Sequence, residues 1–280
     1  MGARVGNLAQ RILTAAVGVP ILLLLIYAAP PWAFPLAVAA CAAAGGYEFF
    51  RFAVPRARRL HVVGPACVFL IVEGVAAAHG AHRDATILAT ILGLTPIVSL
   101  LTFLIRPGDL EQVPRQAGLM ALGLLYVSLT SFIALLYGAG PEGPDLVVLL
   151  LTIAFFGDTG AYFGGRAFGR HPLYLAVSPK KTWEGAAFGL AASAGAALLA
   201  HFTYLPELPL LPGVGLALLA GVLGQAGDLS ESMLKRASSV KDSGGLLPGH
   251  GGMLDRIDAL LFAAPTLYLA MTWLDLLPLG

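Results

Sequence analysis

An all-α, polytopic integral membrane protein is the fold class this sequence predicts, and three observations predict it. The 280-residue chain is 58% hydrophobic and only 12% charged, with a mean hydropathy of +0.81. Soluble domains carry roughly 25% charged residues. Its apolar runs are about 20 residues long, which is the length that crosses a hydrocarbon core as a helix. They also lack the period-two alternation of barrel strands, and a spanning segment must be one or the other.

Nine candidate spans follow, at 11–29, 33–52, 60–79, 85–105, 117–138, 145–165, 183–204, 211–229 and 257–277. Pro30-Pro31, Pro107-Gly108, Gly140-Pro141 and Pro206 separate them as turn residues. The first could be taken for a signal peptide, with Arg4 and Arg11 as basic flank and Ala28-Ala29 as small residues, but the topology below needs it retained. Residues 1–140 then hold about five spans. Residues 141–280 hold about four, together with two long polar segments. Glycines inside the spans, at Gly45-Gly46, Gly185, Gly189 and Gly195, suit close helix packing. Cys41 and Cys67 lie in apolar runs and read as small buried hydrophobes, so neither a disulfide framework nor a thiolate zinc site is expected.

Nine spans place every Lys and Arg on one side of the membrane except Arg83. The positive-inside rule puts that side, with the N-terminus and both polar segments, in the cytoplasm. In a bacterium this is a multi-pass protein of the inner membrane. No basic block suggests a nucleic-acid partner.

The chemistry concentrates in residues 157–185 and 224–258. Charge is expensive beside a bilayer, so polar islands in such a chain are site candidates. If the helix through Asp228 continues, Glu231, Ser232 and Lys235 share its face. Asp255 and Asp258 are three apart and face one side of the last span. Asp228, Asp255 and Asp258 together offer oxygen-only ligands, which favour Mg²⁺ over zinc. The plainer alternative is that Asp255 and Asp258 are N-terminal helix charges and that Asp228 pairs with Lys235. His250, flanked by Gly249 and Gly251-Gly252, marks either a hydrogen-bonded structural residue or tight backbone geometry at the site. Asp158 needs a partner within apolar sequence, and Arg166 on the same helical face is one. Ser178-Pro179 reads as a helix N-cap followed by Pro at the first helical position. Lys180 and Lys181 would then lie in a first turn, where cations are disfavoured unless a polyanion binds; ordinary basic anchoring is the alternative. Glu48 and Glu73 sit in apolar spans with no evident role. No P-loop, strand-borne GxGxxG, GxSxG or HExxH motif is present.

These residues resemble a known signature. Ser232-x-Leu234-Lys235-Arg236, then Lys241-Asp242, then Pro248-x-His250-Gly251-Gly252-x-x-Asp255-Arg256-x-Asp258 is similar to that of the phosphatidate cytidylyltransferases, or CDP-diacylglycerol synthases. Asp158 with Ala161-Tyr162 and Gly165-Arg166, the segment Ser178–Gly185, and Gly227-Asp228 resemble the family upstream. The resemblance is strong over about 150–260 and rests on hydropathy before that. It implies Mg²⁺-dependent transfer of CMP from CTP to phosphatidate, with pyrophosphate released. It also implies a polytopic protein that is often a homodimer, and leaves room for a second, monovalent cation such as K⁺.

The attacking phosphate is already an anion, so the task is to bring two polyanions together and neutralise the leaving group. On that basis Asp228 and Asp255 are expected to hold Mg²⁺, with Asp258 as a third ligand or a group supporting one. Lys180, Lys181, Lys235, Arg236, Lys241 and Arg256 are expected to contact phosphates. Asp158, Arg166, Ser232, His250, Gly251 and Gly252 complete the expected site. Two alternatives compete with this reading. A cation-coupled transporter would place its charges near the midplane in two related halves. A CTP-dependent lipid kinase would release CDP instead of pyrophosphate.

Overall fold

The computed structural model describes residues 16–80, 84–105, 108–244 and 251–277. The chain runs α1 (Ala16–Tyr27), α2 (Ala33–Ala53), α3 (Leu60–Gly80), α4 (Asp84–Ile105), α5 (Val113–Val127) and α6 (Ser131–Tyr137). It continues through α7 (Gly143–Phe168), β1 (Pro172–Tyr174), β2 (Ser178–Thr182), α8 (Trp183–Thr203), α9 (Leu210–Ala237) and α10 (Leu254–Trp273). The protein is a helical, multi-pass membrane protein.

Seven helical stretches among the described residues are long and apolar enough to cross a membrane, where the sequence reading had nine. Helix α1 is described over too short a length to be one of them. Helix α10 begins with Asp255, Arg256 and Asp258, which dilute its apolar character. The span expected at 117–138 is not one regular helix. It is α5 and α6 joined by a 3₁₀ turn at Ser128–Thr130. Within that turn the Thr130 hydroxyl donates to the Val127 carbonyl at 2.8 Å.

Helix α7 packs on α8, α8 on α9, and α9 on α10, while α2 packs on α3 and α10 touches both groups. Where α2, α5 and α10 meet, Phe49, Phe50, Phe52, Tyr126 and Phe262 form an aromatic knot, with Phe49 and Phe50 centroids 5.4 Å apart at 87°. Such pairs add about 0.5–1.5 kcal/mol each beyond their burial.

In the second half the helices meet backbone to backbone. A Cβ on Gly189 would lie 2.9 Å from the Gly157 carbonyl, and one on Gly185 would lie 2.9 Å from that of Ala161. A Cβ on Gly227 would lie 2.6 Å from the Asp258 carbonyl. Gly195 does not belong to this set, because nothing lies within 4 Å of its Cβ position. Gly227→Ala should therefore cost about 1–3 kcal/mol by forcing α9 off α10. Gly195→Ala should be neutral or stabilise by up to about 1 kcal/mol. Thermal midpoints of the two variants in detergent check this; equal shifts would remove close approach as the cause.

Candidate active site

The ends of α7, α9 and α2 and the starts of α8 and α10 bring the two polar segments together. Helices α7 and α9 have 26 and 28 residues, more than the about 20 that span a hydrocarbon core. Their surplus turns carry charge beyond the apolar layer. Helix α9 runs on through Asp228, so Glu231 and Lys235 do face the same side, and they form an i,i+4 ion pair.

A cavity of about 500 Å³ opens at this end. Asp158, Tyr162 and Arg166 of α7, Ser178, Lys180 and Lys181 of β2, and Gln225 and Asp228 of α9 line it. Lys181 Nζ forms an ion pair with Asp228, both groups about 30% exposed, and so joins the two segments. Gln225 Nε2 donates to the Ala186 carbonyl at 3.1 Å and fixes α9 against α8.

Three local expectations need correction. Lys180 and Lys181 are not in a helical first turn. They lie on β2, which pairs antiparallel with β1 through Pro172–Thr182 and Tyr174–Ser178. The N-cap of α8 is Thr182 in extended conformation, whose hydroxyl accepts from Gly185 N at 3.1 Å, with Glu184 as first-turn acid. A β-branched residue suits both the strand end and the cap, which Ser178-Pro179 cannot match once the ribbon forms. Second, Arg166 donates to the Tyr162 hydroxyl at 3.1 Å and does not pair with Asp158. The charges that act on Asp158 are Asp228, Lys181 and Arg256. Third, Asp228 pairs with Lys181 and not with Lys235.

Behind the cavity lies a buried polar node. Lys235 Nζ contacts both Glu231 and Asp255 Oδ1, the latter at 2.5 Å. Asp255 Oδ2 accepts from Gly252 N at 3.0 Å. Asp258 shares its surroundings with Asp228, Glu231 and Asp158. Gly251 takes a left-handed conformation (φ 79°) that favours glycine. Among the described residues, no three His, Cys, Asp or Glu side chains converge closely enough to form a metal cage. Asp228 and Asp255 each hold a lysine instead.

The remaining expected residues are more dispersed. Arg236 is bound to backbone, donating to the Val177 carbonyl at 3.4 Å and to that of Val240 at 3.1 Å. Ser232 is half-buried and Lys241 exposed, and neither lines the cavity. His250 lies outside the described residues.

One residue carries more than the sequence reading gave it. Glu48 of α2 is fully buried. Its Oε2 accepts from Leu254 N at 2.8 Å and from the Ser243 hydroxyl at 3.1 Å. Helix α10 has no side-chain cap of its own at Met253. A carboxylate from α2 therefore satisfies one of its orphan N–H groups and meets the positive end of its dipole. The signal was present in the sequence: an acid in an apolar run is a site candidate by default.

Known proteins are similar to this chain in sequence. The cytidylyltransferase family profile matches residues 9–274. A phosphatidate cytidylyltransferase of Pseudomonas aeruginosa is 34% identical over 274 residues, covering 95% of this chain and 97% of that protein. One of Brucella suis is 45% identical over 157 residues, or 54% of this chain, and the chain spans only 56% of that relative's length. The chloroplastic phosphatidate cytidylyltransferase 5 of Arabidopsis thaliana is 42% identical over 125 residues, 43% of this chain and 31% of that protein. The match runs through the α2–α3 half as well as through the cavity and its polar node, and the chain belongs to the cytidylyltransferase family.

Proposed function

We propose that the chain is a phosphatidate cytidylyltransferase, transferring CMP from CTP to phosphatidate to give CDP-diacylglycerol and pyrophosphate. The observation that carries this reading is the cavity lined by Arg166, Lys180 and Lys181 together with Asp158 and Asp228. Its cations suit phosphate oxygens, and its acids suit a cation that comes with a nucleotide. Residues 141–280 carry this chemistry, and residues 1–140 support it through Glu48.

Mg²⁺ fits the donor set in part. Asp228 and Asp258 are oxygen donors in a cluster of mutually repelling carboxylates, which a hard cation would relieve. Asp255 fits as a ligand only after Lys235 leaves it. When bound, the ion would supply charge neutralisation for the phosphates. The chain's own residues do the rest. Lys181, held at the cavity wall by Asp228, is placed to take a phosphate oxygen. Lys180 and Arg166 flank it on the cavity wall, and Arg256 meets charge from the Asp158 side. The basic end faces the cytoplasm, in a bacterium across the inner membrane, by the asymmetry of Lys and Arg. A homodimer and a second, monovalent cation such as K⁺ remain part of the proposal.

The test is product identity with purified protein, Mg²⁺, phosphatidate and CTP labelled at the α- or the γ-phosphate. Label from the α-position in lipid and from the γ-position in pyrophosphate is the expected result. Release of CDP would replace the reading with a lipid kinase.

Lys181→Gln and Lys180→Gln should each lower kcat/KM about tenfold to hundredfold, the loss of a charge-assisted contact of roughly 1.5–3 kcal/mol. Steady-state kinetics varying each substrate at saturating Mg²⁺ measures this. Values within twofold of wild type for both substrates would reduce the two lysines to basic anchors.

A further inference from the structure

A second and larger cavity, of about 920 Å³, lies at the same end of the bundle but outside the site above. Three separate stretches converge on it. The turn between α2 and α3 brings Arg56, Arg58 and Arg59; the entry to α5 brings Gly108, Asp109, Gln112, Arg115 and Gln116; and the end of α9 brings Ala237, Ser238 and Ser239. Four arginines and a single carboxylate, that of Asp109, thus line it. Its Oδ1 is already engaged as a cap, accepting from Glu111 N at 3.1 Å. Among the described residues, the ion pairs lie elsewhere and none includes Arg56, Arg58, Arg59 or Arg115.

Simple anchoring at the membrane face needs arginines on the surface. It does not need them gathered from distant parts of the chain around one cavity, where they repel each other. Planar guanidinium forks with glutamine amides beside them match phosphate oxygens. The neighbouring end of α4 adds a second observation. The Arg59 guanidinium stacks over the Phe103 ring of α4 at 4.8 Å. Leu104 and Ile105, which follow Phe103, and Leu110, which follows the cavity residue Asp109, are 76%, 78% and 72% exposed. A polar cavity beside such an apolar stretch suits a ligand with a phosphate at one end and hydrocarbon at the other.

We infer that this cavity is a second phosphate-binding site, taking the headgroup phosphate of an anionic phospholipid. Its third wall is the last turn of α9, directly after Lys235 and Arg236. Ser239 closes that helix in a left-handed conformation (φ 59°), and Val240 N donates back to the Lys235 carbonyl at 3.0 Å. An occupied cavity would hold this turn in place, and with it Lys235 against Asp255. That coupling rests on the cytidylyltransferase reading; the binding itself does not.

The test uses the full chain in nanodiscs of phosphatidylcholine with and without phosphatidylglycerol. Bound lipid is counted by native mass spectrometry, and inorganic phosphate binding is measured by equilibrium dialysis. Arg58→Gln and Arg115→Gln are compared with Arg51→Gln, which removes the same charge from the same end but lies outside the cavity, over the Tyr47 ring. We expect phosphatidylglycerol retention to fall about tenfold in the first two variants and to hold in the third. Inorganic phosphate should compete only weakly. Loss of phosphate binding without loss of lipid binding would assign the cavity to a free phosphate and overturn the lipid reading. Equal effects of all three substitutions, or none, would overturn the site. Arg58 lies on an exposed turn, so Arg58→Gln decides the matter even if Arg115→Gln disturbs α5. Turnover is read separately. If phosphatidylglycerol binds as expected but no variant or wild type makes CDP-diacylglycerol, the proposed activity fails and the site stands.

Discussion

Asp228→Asn is expected to leave a folded protein with turnover reduced by about 10²–10³-fold or more. Its carboxylate does two things that an amide cannot. On the proposed reading it would offer the negative charge that a phosphate-bound cation needs, and it holds Lys181 at the cavity wall. Removing one well-placed electrostatic group from a reacting site costs about this much in rate. The cost in stability is small. The Lys181–Asp228 pair is about 30% exposed, and pairs of that kind contribute roughly 0–1 kcal/mol. The contrast with Asp255 is sharp. Asp255→Asn would leave the nearly buried Lys235 with Glu231 alone, so stability should fall along with activity. CDP-diacylglycerol formation across a Mg²⁺ titration, with a thermal midpoint for each variant, separates the two. Near-wild-type activity of Asp228→Asn at low Mg²⁺ would remove Asp228 from the site.

Glu48→Ala should be the most damaging substitution in the first half of the chain. It strips the acceptor from Leu254 N and from the Ser243 hydroxyl, both buried. An orphaned buried donor costs about 1–3 kcal/mol, so the pair should cost about 2–5 kcal/mol. The loss falls on the first turn of α10, which carries Asp255, and on Ser243, which also lies beside Asp255. Glu48→Gln keeps an acceptor of the same reach and should recover most of the stability. Its weaker hold on the α10 dipole should appear in kcat rather than in KM. Thermal unfolding in detergent and the kcat/KM split are the measurements. An unchanged midpoint for Glu48→Ala would show that α10 is capped by other groups.

The sequence made the helical class plain because the apolar runs are long and unbroken, and each candidate span overlaps a helix. It could not reveal the break at Ser128–Thr130, because no Gly or Pro marks it. Nor could it reveal the β1–β2 ribbon, whose few residues carry no alternating pattern. The polar segments stood out by contrast with their surroundings, and the cavity does unite Asp158, Arg166, Lys180, Lys181 and Asp228 across them. Partner choice was the part that spacing misjudged. Arg166 and Lys235 lie eight and seven positions beyond Asp158 and Asp228, and each instead took the partner four positions back on its own helix, Tyr162 for Arg166 and Glu231 for Lys235, with Asp255 brought to Lys235 by tertiary packing. Glu48 stayed without a role because its partners lie some two hundred positions away.

The surplus length of α9 ties the site to the thickness of its host membrane. At 1.5 Å per residue its 28 residues extend about 42 Å, some 12 Å beyond a 30 Å hydrocarbon layer. Asp228 precedes the end of α9 by nine positions, or about 13 Å, so with Leu210 at the opposite boundary it stands near the edge of that layer. A bilayer thicker by a few Å would draw Asp228 and Lys181 into lipid unless the helix tilts less or the bilayer thins around it. Each adjustment costs fractions of a kcal/mol per Å of mismatch. Acyl-chain length in the surrounding membrane is therefore expected to set how far this carboxylate stands in water.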